Sequence, residues 1–297
     1  MAPLNALKML SVVVRGHDEQ RLMELSRAIQ SLAYCNYPNL DVVLVWQTAG
    51  EVPNSIYDCV RSATDGCTGR QVRVIRVKVP KGSDGRAEAA NVGVDNAAGR
   101  YLAFLDFDDV VYPTAYKALV ERSRATGRAI TVGQIRTVAA FRHSTYMEYI
   151  GTLPGFFPPE MGLEELFIRN HVPIHSYVVD RERAEVPRFP HGQRLEEDYE
   201  FLLRMAARTP IDFHPRKQGL IVGDYVRQLN DMNTLNTIAE REGHEQVRRE
   251  YLKVKARQRR LKAELILSHE VQGTLGIWPP VENLSVASLA SALSTKS

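Results

Sequence analysis

From Leu10 to Leu105 the chain alternates compact apolar runs with segments whose apolar positions recur every three or four residues. Leu10 to Val14 is a run of the first kind, and Leu22, Leu25, Ile29 and Leu32 follow it at helical spacing. Val42 to Trp46 predicts a second strand. Asn54 to about Thr64 predicts a second helix with Asn54 as its cap, and Val72, Val74 and Val77 predict a third strand. Ala87, Ala90, Val94 and Ala97 share a helical face that Gly99 ends, and Tyr101 to Leu105 is a fourth strand. Short, continuous apolar strands separated by amphipathic helices predict an α/β fold, a mostly parallel sheet covered by helices on both faces. Ligands of such sheets bind at the carboxyl ends of strands, beside a topological switch point. The loops after Val14, Trp46, Val77 and Leu105 are therefore where chemistry is sought.

Beyond Asp109 the pattern loosens into a helix over Thr114 to Ala125, an extended stretch from Ala129 to Ala140 and a Gly/Pro-rich loop from Gly151 to Gly162. Phe156-Phe157-Pro158-Pro159 in that loop suits a lid, an acceptor wall or local packing. A helix begins near Glu196, carries Leu195, Tyr199, Leu202 and Ala206 on one face and ends before Pro210; a strand from Gly219 to Tyr225 follows. The Lys/Arg-rich segment Val247 to Ile266 lacks Gly and Pro and predicts a C-terminal helical extension. Its seam is Val247, Tyr251, Val254, Gln258, Leu261 and Leu265. Packing on its own domain, self-association and contact with an anionic membrane surface all suit such a helix. Trp278-Pro279-Pro280 and the residues after it read as a loosely attached tail. The divisions expected are residues 1–110, 111–232 and 233–297.

Composition narrows the class. At 297 residues, with 44% hydrophobic and 25% charged residues, the chain suits one large or two small water-soluble domains. A net charge of +3 is too small to imply nucleic-acid binding. Cys35, Cys59 and Cys67 form no CxxC pair. No stretch reaches the ~18 apolar residues of a membrane span. A cytoplasmic protein is expected, at most peripheral to a membrane.

Leu105-Asp106-Phe107-Asp108-Asp109 places three carboxylates at the end of the fourth strand. Like charges so close raise each other's pKa unless a cation or hydrogen-bond donors offset them. Manganese or magnesium suits carboxylate oxygens and commonly binds with substrate phosphates. In isolation such aspartates equally suit turn and cap positions before a helix.

The surrounding landmarks resemble the family-2 glycosyltransferases, inverting enzymes of the GT-A fold. They are Ser11-Val12-Val13-Val14-Arg15-Gly16-His17-Asp18, Tyr37-Pro38-Asn39-Leu40, the Ala89, Asn91 and Gly93 helix, the Asp106 to Asp109 cluster, and Glu197-Asp198-Tyr199-Glu200. The resemblance covers about residues 10 to 230. It implies a Rossmann-like nucleotide-sugar-binding half, an acceptor-binding half, and transfer of a sugar from a nucleoside-diphosphate donor to a glycan, lipid-linked or protein acceptor. By resemblance Asp106 faces the ribose side and shares the metal, Asp108 is the principal metal ligand, Asp198 is the general base, and Glu197 orders the acceptor loop. Arg15, His17, Gln47, Arg86, Asn91 and Arg227 are the candidates for donor contacts.

Three positions depart from the family. Trp46-Gln47-Thr48-Ala49 replaces the acidic residues that follow strand two, Arg15-Gly16-His17 replaces a Pro-Thr-Tyr type turn, and Tyr225-Val226-Arg227-Gln228 lacks a metal-approaching His. The third metal ligand is therefore open. His171 and His175 flank Pro173, and four residues of strand span ~13 Å, so they are not expected to share an ion. Two rivals stand beside the transferase. Asp106-Phe107-Asp108-Asp109-Val110 also matches the nucleophile signature of a haloacid-dehalogenase-like phosphatase, and a non-catalytic nucleotide-sugar-binding protein would keep the same fold.

Overall fold

The computed structural model describes residues 7–67, 71–80, 83–153, 162–193, 195–213, 219–230 and 244–295. Strands β1 (Leu10–Gly16), β2 (Leu40–Thr48), β3 (Val72–Lys78) and β4 (Tyr101–Asp106) alternate with helices α1 (Leu22–Ala33), α2 (Asn54–Ala63) and α3 (Arg86–Asn96), as the periodicity predicts. There follow β5 (Val110–Val111), α4 (Ala115–Thr126), β6 (Ile130–Val132), β7 (Gln134–Arg142), β8 (Met147–Thr152), α5 (Leu163–Ile168) and β9 (Tyr177–Asp180). The chain continues through α6 (Glu197–Ala206), β10 (Ile211–Phe213), β11 (Ile221–Gln228), α7 (His244–Glu264), α8 (His269–Thr274) and α9 (Val286–Ser294).

The main sheet runs β10-β6-β9-β4-β1-β2-β3, parallel except at β9, which is antiparallel to both neighbours. Alternate strand residues feed two cores. Val12, Val14, Leu44 and Leu105 pack with α1, α2 and α4. Val13, Val43, Val45 and Phe104 pack with α3, α5, α6 and the C-terminal helices. Both faces are covered, which is why these strands read as unbroken apolar runs rather than alternating ones. The chain leaves β1 towards β2 and β3, then returns to place β4 on the other side. That switch point sets Arg15 opposite Asp106 in register.

Four expectations change. The extended stretch Ala129 to Ala140 divides at Gly133 into β6, in the main sheet, and β7, in a second sheet ordered β5-β11-β7-β8. The close approach of Val222, 2.4 Å from where a Cβ would lie, requires glycine at that division. Asn54 is the first residue of α2 rather than its cap, a place taken by Pro53. The seam of α7 is buried only in its later part, at Gln258, Leu261 and Leu265, whereas Tyr251 is exposed. The tail is docked: Val286 is fully buried, its N–H donates to Leu265 O, and α9 begins there. Phe156 to Pro159 and the expected boundary at 232/233 lie outside the described residues. Among those described, no helix is long and apolar enough to cross a membrane.

Candidate active site

The site begins with a buried cation. Arg15 ends β1 and is 4% exposed. Its Nε and Nη2 lie 2.8 and 2.6 Å from Asp106 Oδ1, and its Nη1 donates to Glu197 Oε1 at 2.9 Å. One guanidinium thus joins the acidic end of β4 to the first turn of α6. Burial opposes ionisation of Asp106, but the charge and hydrogen bond of Arg15 outweigh it and hold its pKa below the usual carboxylate range.

Asp198, the next residue of α6, is pushed up to about 7, first by desolvation and then by the charge of Glu197, with Arg15 opposing. Its Oδ1 accepts from the N–H of Tyr199 at 2.8 Å. Behind it the Tyr177 hydroxyl is buried and has no hydrogen-bond partner among the described residues. Asp198, Arg15 and Asp106 are the charges that act on that hydroxyl.

Asp108 is held differently. Arg21 Nη2 reaches its Oδ2 at 3.0 Å, and Arg27 Nη2 donates to its main-chain oxygen at 2.8 Å. Arg21 is oriented in turn by Glu24, a fully buried carboxylate whose Oε1 also accepts from Gln228 Nε2 at 3.0 Å. Phe107, between the two aspartates, is buried. His17 and Trp46 meet it edge-on at 5.2 and 6.4 Å, and Arg21 lies over its ring.

Asp109 faces inward and is 3% exposed. Its Oδ1 accepts from Val226 N–H at 2.9 Å, tying the cluster to β11, and its Oδ2 lies 3.2 Å from His175 Nδ1. Although that separation is short, neither His175 nitrogen has hydrogen-bonding geometry with a partner among the described residues. Desolvation and the charges of Asp108 and Asp106 raise Asp109 well above its ordinary value, whereas burial lowers His175 to about 4. Both shifts oppose charge, and the pair is buried in the core beside the acidic cluster. His171 is engaged separately, its Nε2 3.0 Å from Gly162 O.

Asp106 and Asp108 are the residues able to hold a divalent ion. Their side chains are 32% and 29% exposed, unlike Asp109, and each gives one oxygen to an arginine. Two carboxylates with phosphate oxygens to complete the shell suit magnesium or manganese. Among the described residues no cluster of three or more His, Cys, Asp or Glu forms a protein-only cage.

The donor candidates separate on inspection. Gln47 is buried at the carboxyl end of β2. Its Oε1 accepts from Gly85 N–H at 3.1 Å, leaving Nε2 buried without a partner among the described residues. Arg86 is gripped by Asp84 through Nε and Nη2, and the negative charge of Glu197 further favours its cationic form. The Asn91 amide donates to Phe189 O at 3.1 Å and accepts from Phe189 N–H at 2.9 Å, so it staples α3 to the segment before α6. Arg15 is likewise committed to carboxylates. Arg227 lies half-buried on β11, opposite Ala139 of β7. Sequence spacing had no means of pairing Arg21 with Asp108 or Glu24 with Gln228, since those partners lie on distant elements.

Residues 11–169, more than half of the chain, match the family described as Glycosyl transferase family 2, and the chain belongs to it. The succinoglycan biosynthesis protein ExoO of Rhizobium meliloti (strain 1021) is 28% identical over 156 residues, covering 48% of this chain and 43% of that protein. This chain thus spans less than half the length of that curated relative. The fold is the GT-A fold. It is similar to that of S. aureus TarS 1-349 in complex with UDP-GlcNAc, with a TM-score of 0.54 and 14% identity over 91% of this chain and 76% of that one. The complex of the same protein with UDP gives 0.50 and 15% over 90% and 75%. Family membership removes the phosphatase reading of Asp106.

Proposed function

We propose that the protein transfers a sugar from a nucleoside-diphosphate donor to an acceptor hydroxyl, with inversion, in a single in-line displacement. The observation that carries this is Arg15, which draws the two acidic motifs to opposite sides of one buried charge. Asp198 takes the proton of the acceptor hydroxyl as the new bond forms, and a carboxyl near 7 is matched to that task. Arg15 neutralises Glu197 and so keeps Asp198 able to ionise at all. Asp106 and Asp108 would hold a divalent cation, which when bound would offset the charge of the departing diphosphate. Arg86 and Arg227 would add to that offset.

Gln47 bears on the base. A main-chain N–H can only donate, so Gly85 fixes which end of the amide is oxygen, and the remaining NH2 suits a base carbonyl such as that of uracil or guanine. TarS binds UDP and UDP-GlcNAc, which makes uridine donors the first to test. The relative named for succinoglycan biosynthesis favours a glycan acceptor, lipid-linked or polymeric, over a protein.

The test uses purified protein, manganese and a panel of UDP-, GDP- and dTDP-sugars, with release of nucleoside diphosphate as the readout. Asp198→Asn should lower turnover by ~100-fold or more while calorimetric affinity for UDP stays near wild type. Full turnover in that variant would refute the base assignment. Nucleotide binding by a wild type that turns over no donor would favour the non-catalytic binding protein.

A further inference from the structure

Immediately before Glu197 and Asp198, Glu196 adopts φ 56° and ψ 30°, the left-handed region, although it is not glycine. Its side chain makes no hydrogen bond that caps α6. L-residues pay a steric penalty there and stay only where the surroundings over-determine them. The surroundings belong to α7. Lys255 Nζ lies 3.0 and 2.9 Å from the two Glu196 carboxylate oxygens, and Gln258 Nε2 donates to Oε2 at 2.5 Å. Lys255 also donates to Gln258 Oε1 at 3.3 Å, and Gln258 is 3% exposed, so the three form a closed, partly buried knot. One turn further along α6, Arg257 grips the buried Glu200 through Nε and Nη2 at 2.8 and 3.1 Å. The mechanism uses neither Glu196 nor α7. Leu261 and Leu265 already supply that helix with apolar burial, so packing alone does not explain paired polar contacts one helical turn apart.

We propose that α7 is the positioning element of the catalytic helix: Lys255 and Gln258 hold Glu196 in its left-handed turn and thereby set where α6 starts and where Asp198 points. This rests on Asp198 being the base. A helix whose first residue is displaced rotates its first-turn side chains, and Asp198 occupies the second position. The donor-side candidates Gln47, Asp106 and Asp108 lie on β2 and at the end of β4, elements other than α6. Turnover should therefore suffer while donor binding does not.

The measurement compares wild type, Lys255→Ala, Lys255→Arg and the double variant Lys255→Ala/Glu196→Gly, using UDP release from UDP-GlcNAc with manganese, or from whichever panel donor is turned over. Lys255→Ala should lower kcat about tenfold or more, leave donor KM within about twofold and shift the melting temperature by only a few degrees. Lys255→Arg should retain most of the activity. Adding Glu196→Gly should restore it, because glycine takes the left-handed conformation unaided. Unchanged kcat in Lys255→Ala, or no recovery in the double variant, would overturn the proposal. Crystal structures of wild type and Lys255→Ala decide it without turnover. Residue 196 should leave the left-handed region and the Asp198 carboxyl should move away from Arg15, whereas an undisturbed turn would refute the clamp. If the wild type releases no nucleoside diphosphate, the transferase reading fails and the crystallographic comparison still judges the clamp.

Discussion

Arg15 shows how one residue type changes meaning once its neighbours are known. As the last residues of a strand in a donor site, Arg15-Gly16-His17 invites a phosphate contact; in the structure Asp106 and Glu197 already occupy the guanidinium. Removing one partner of a buried ion pair strands the others, typically at ~3 to 5 kcal/mol. Because a third of Asp106 is open to solvent, Arg15→Met should cost somewhat less, roughly 2 to 4 kcal/mol, in thermal or urea unfolding. A second expectation concerns Asp198. Its folded pKa of about 7 lies above the ordinary carboxylate value, so ionising it costs stability: the penalty is absent below about pH 4 and grows until about pH 7. Activity runs in the opposite direction, and kcat should rise through an apparent pKa near 7. Asp198→Asn should accordingly be more stable than wild type at pH 8 and no more stable at pH 4, a difference that melting curves at the two values would show.

Elements follow from the periodicity where both sheet faces are covered and fail where an element is short. The first four strands and three helices were legible because each presents an apolar face long enough to register. β9 has four residues and β10 three, and both are buried by the elements beside them rather than by any pattern of their own. Helix α3 is a further case. It crosses β1 so closely that a Cβ on Gly93 would lie 2.1 Å from Val13 Cγ1. Gly93→Ala removes a helix-weakening glycine, yet overpacking should win. Net destabilisation of about 1 to 3 kcal/mol is expected in chemical unfolding, whereas a neutral result would mean that the sheet yields.

At the scale of the whole molecule, the C-terminal helices complete the core on the α3 and α6 side of the sheet. Val286 joins the same apolar cluster as Leu261, Leu265, Val271 and residues of α5 and α6. Val286→Ala deletes two methyl groups from a fully buried position and should cost roughly 1 to 3 kcal/mol. An unfolding curve identical to wild type would restore the picture of a loosely attached tail. That picture arose because Ser/Ala/Leu alternation after two prolines carries little periodic signal, and the partner face is supplied by elements about a hundred residues earlier.

Local order was enough to specify the βα alternation, the site's placement at the strand ends and the acidic residues that line it, since side-chain period and turn chemistry act over a few residues. Which charges meet was decided only by the fold. Arg15 with Glu197, Arg21 with Asp108, and Lys255 with Glu196 are joined across 59 to 182 residues of chain. Electrostatic pairing depends on separation in space and on the water excluded between the groups, and neither is written in the spacing of residues along a chain.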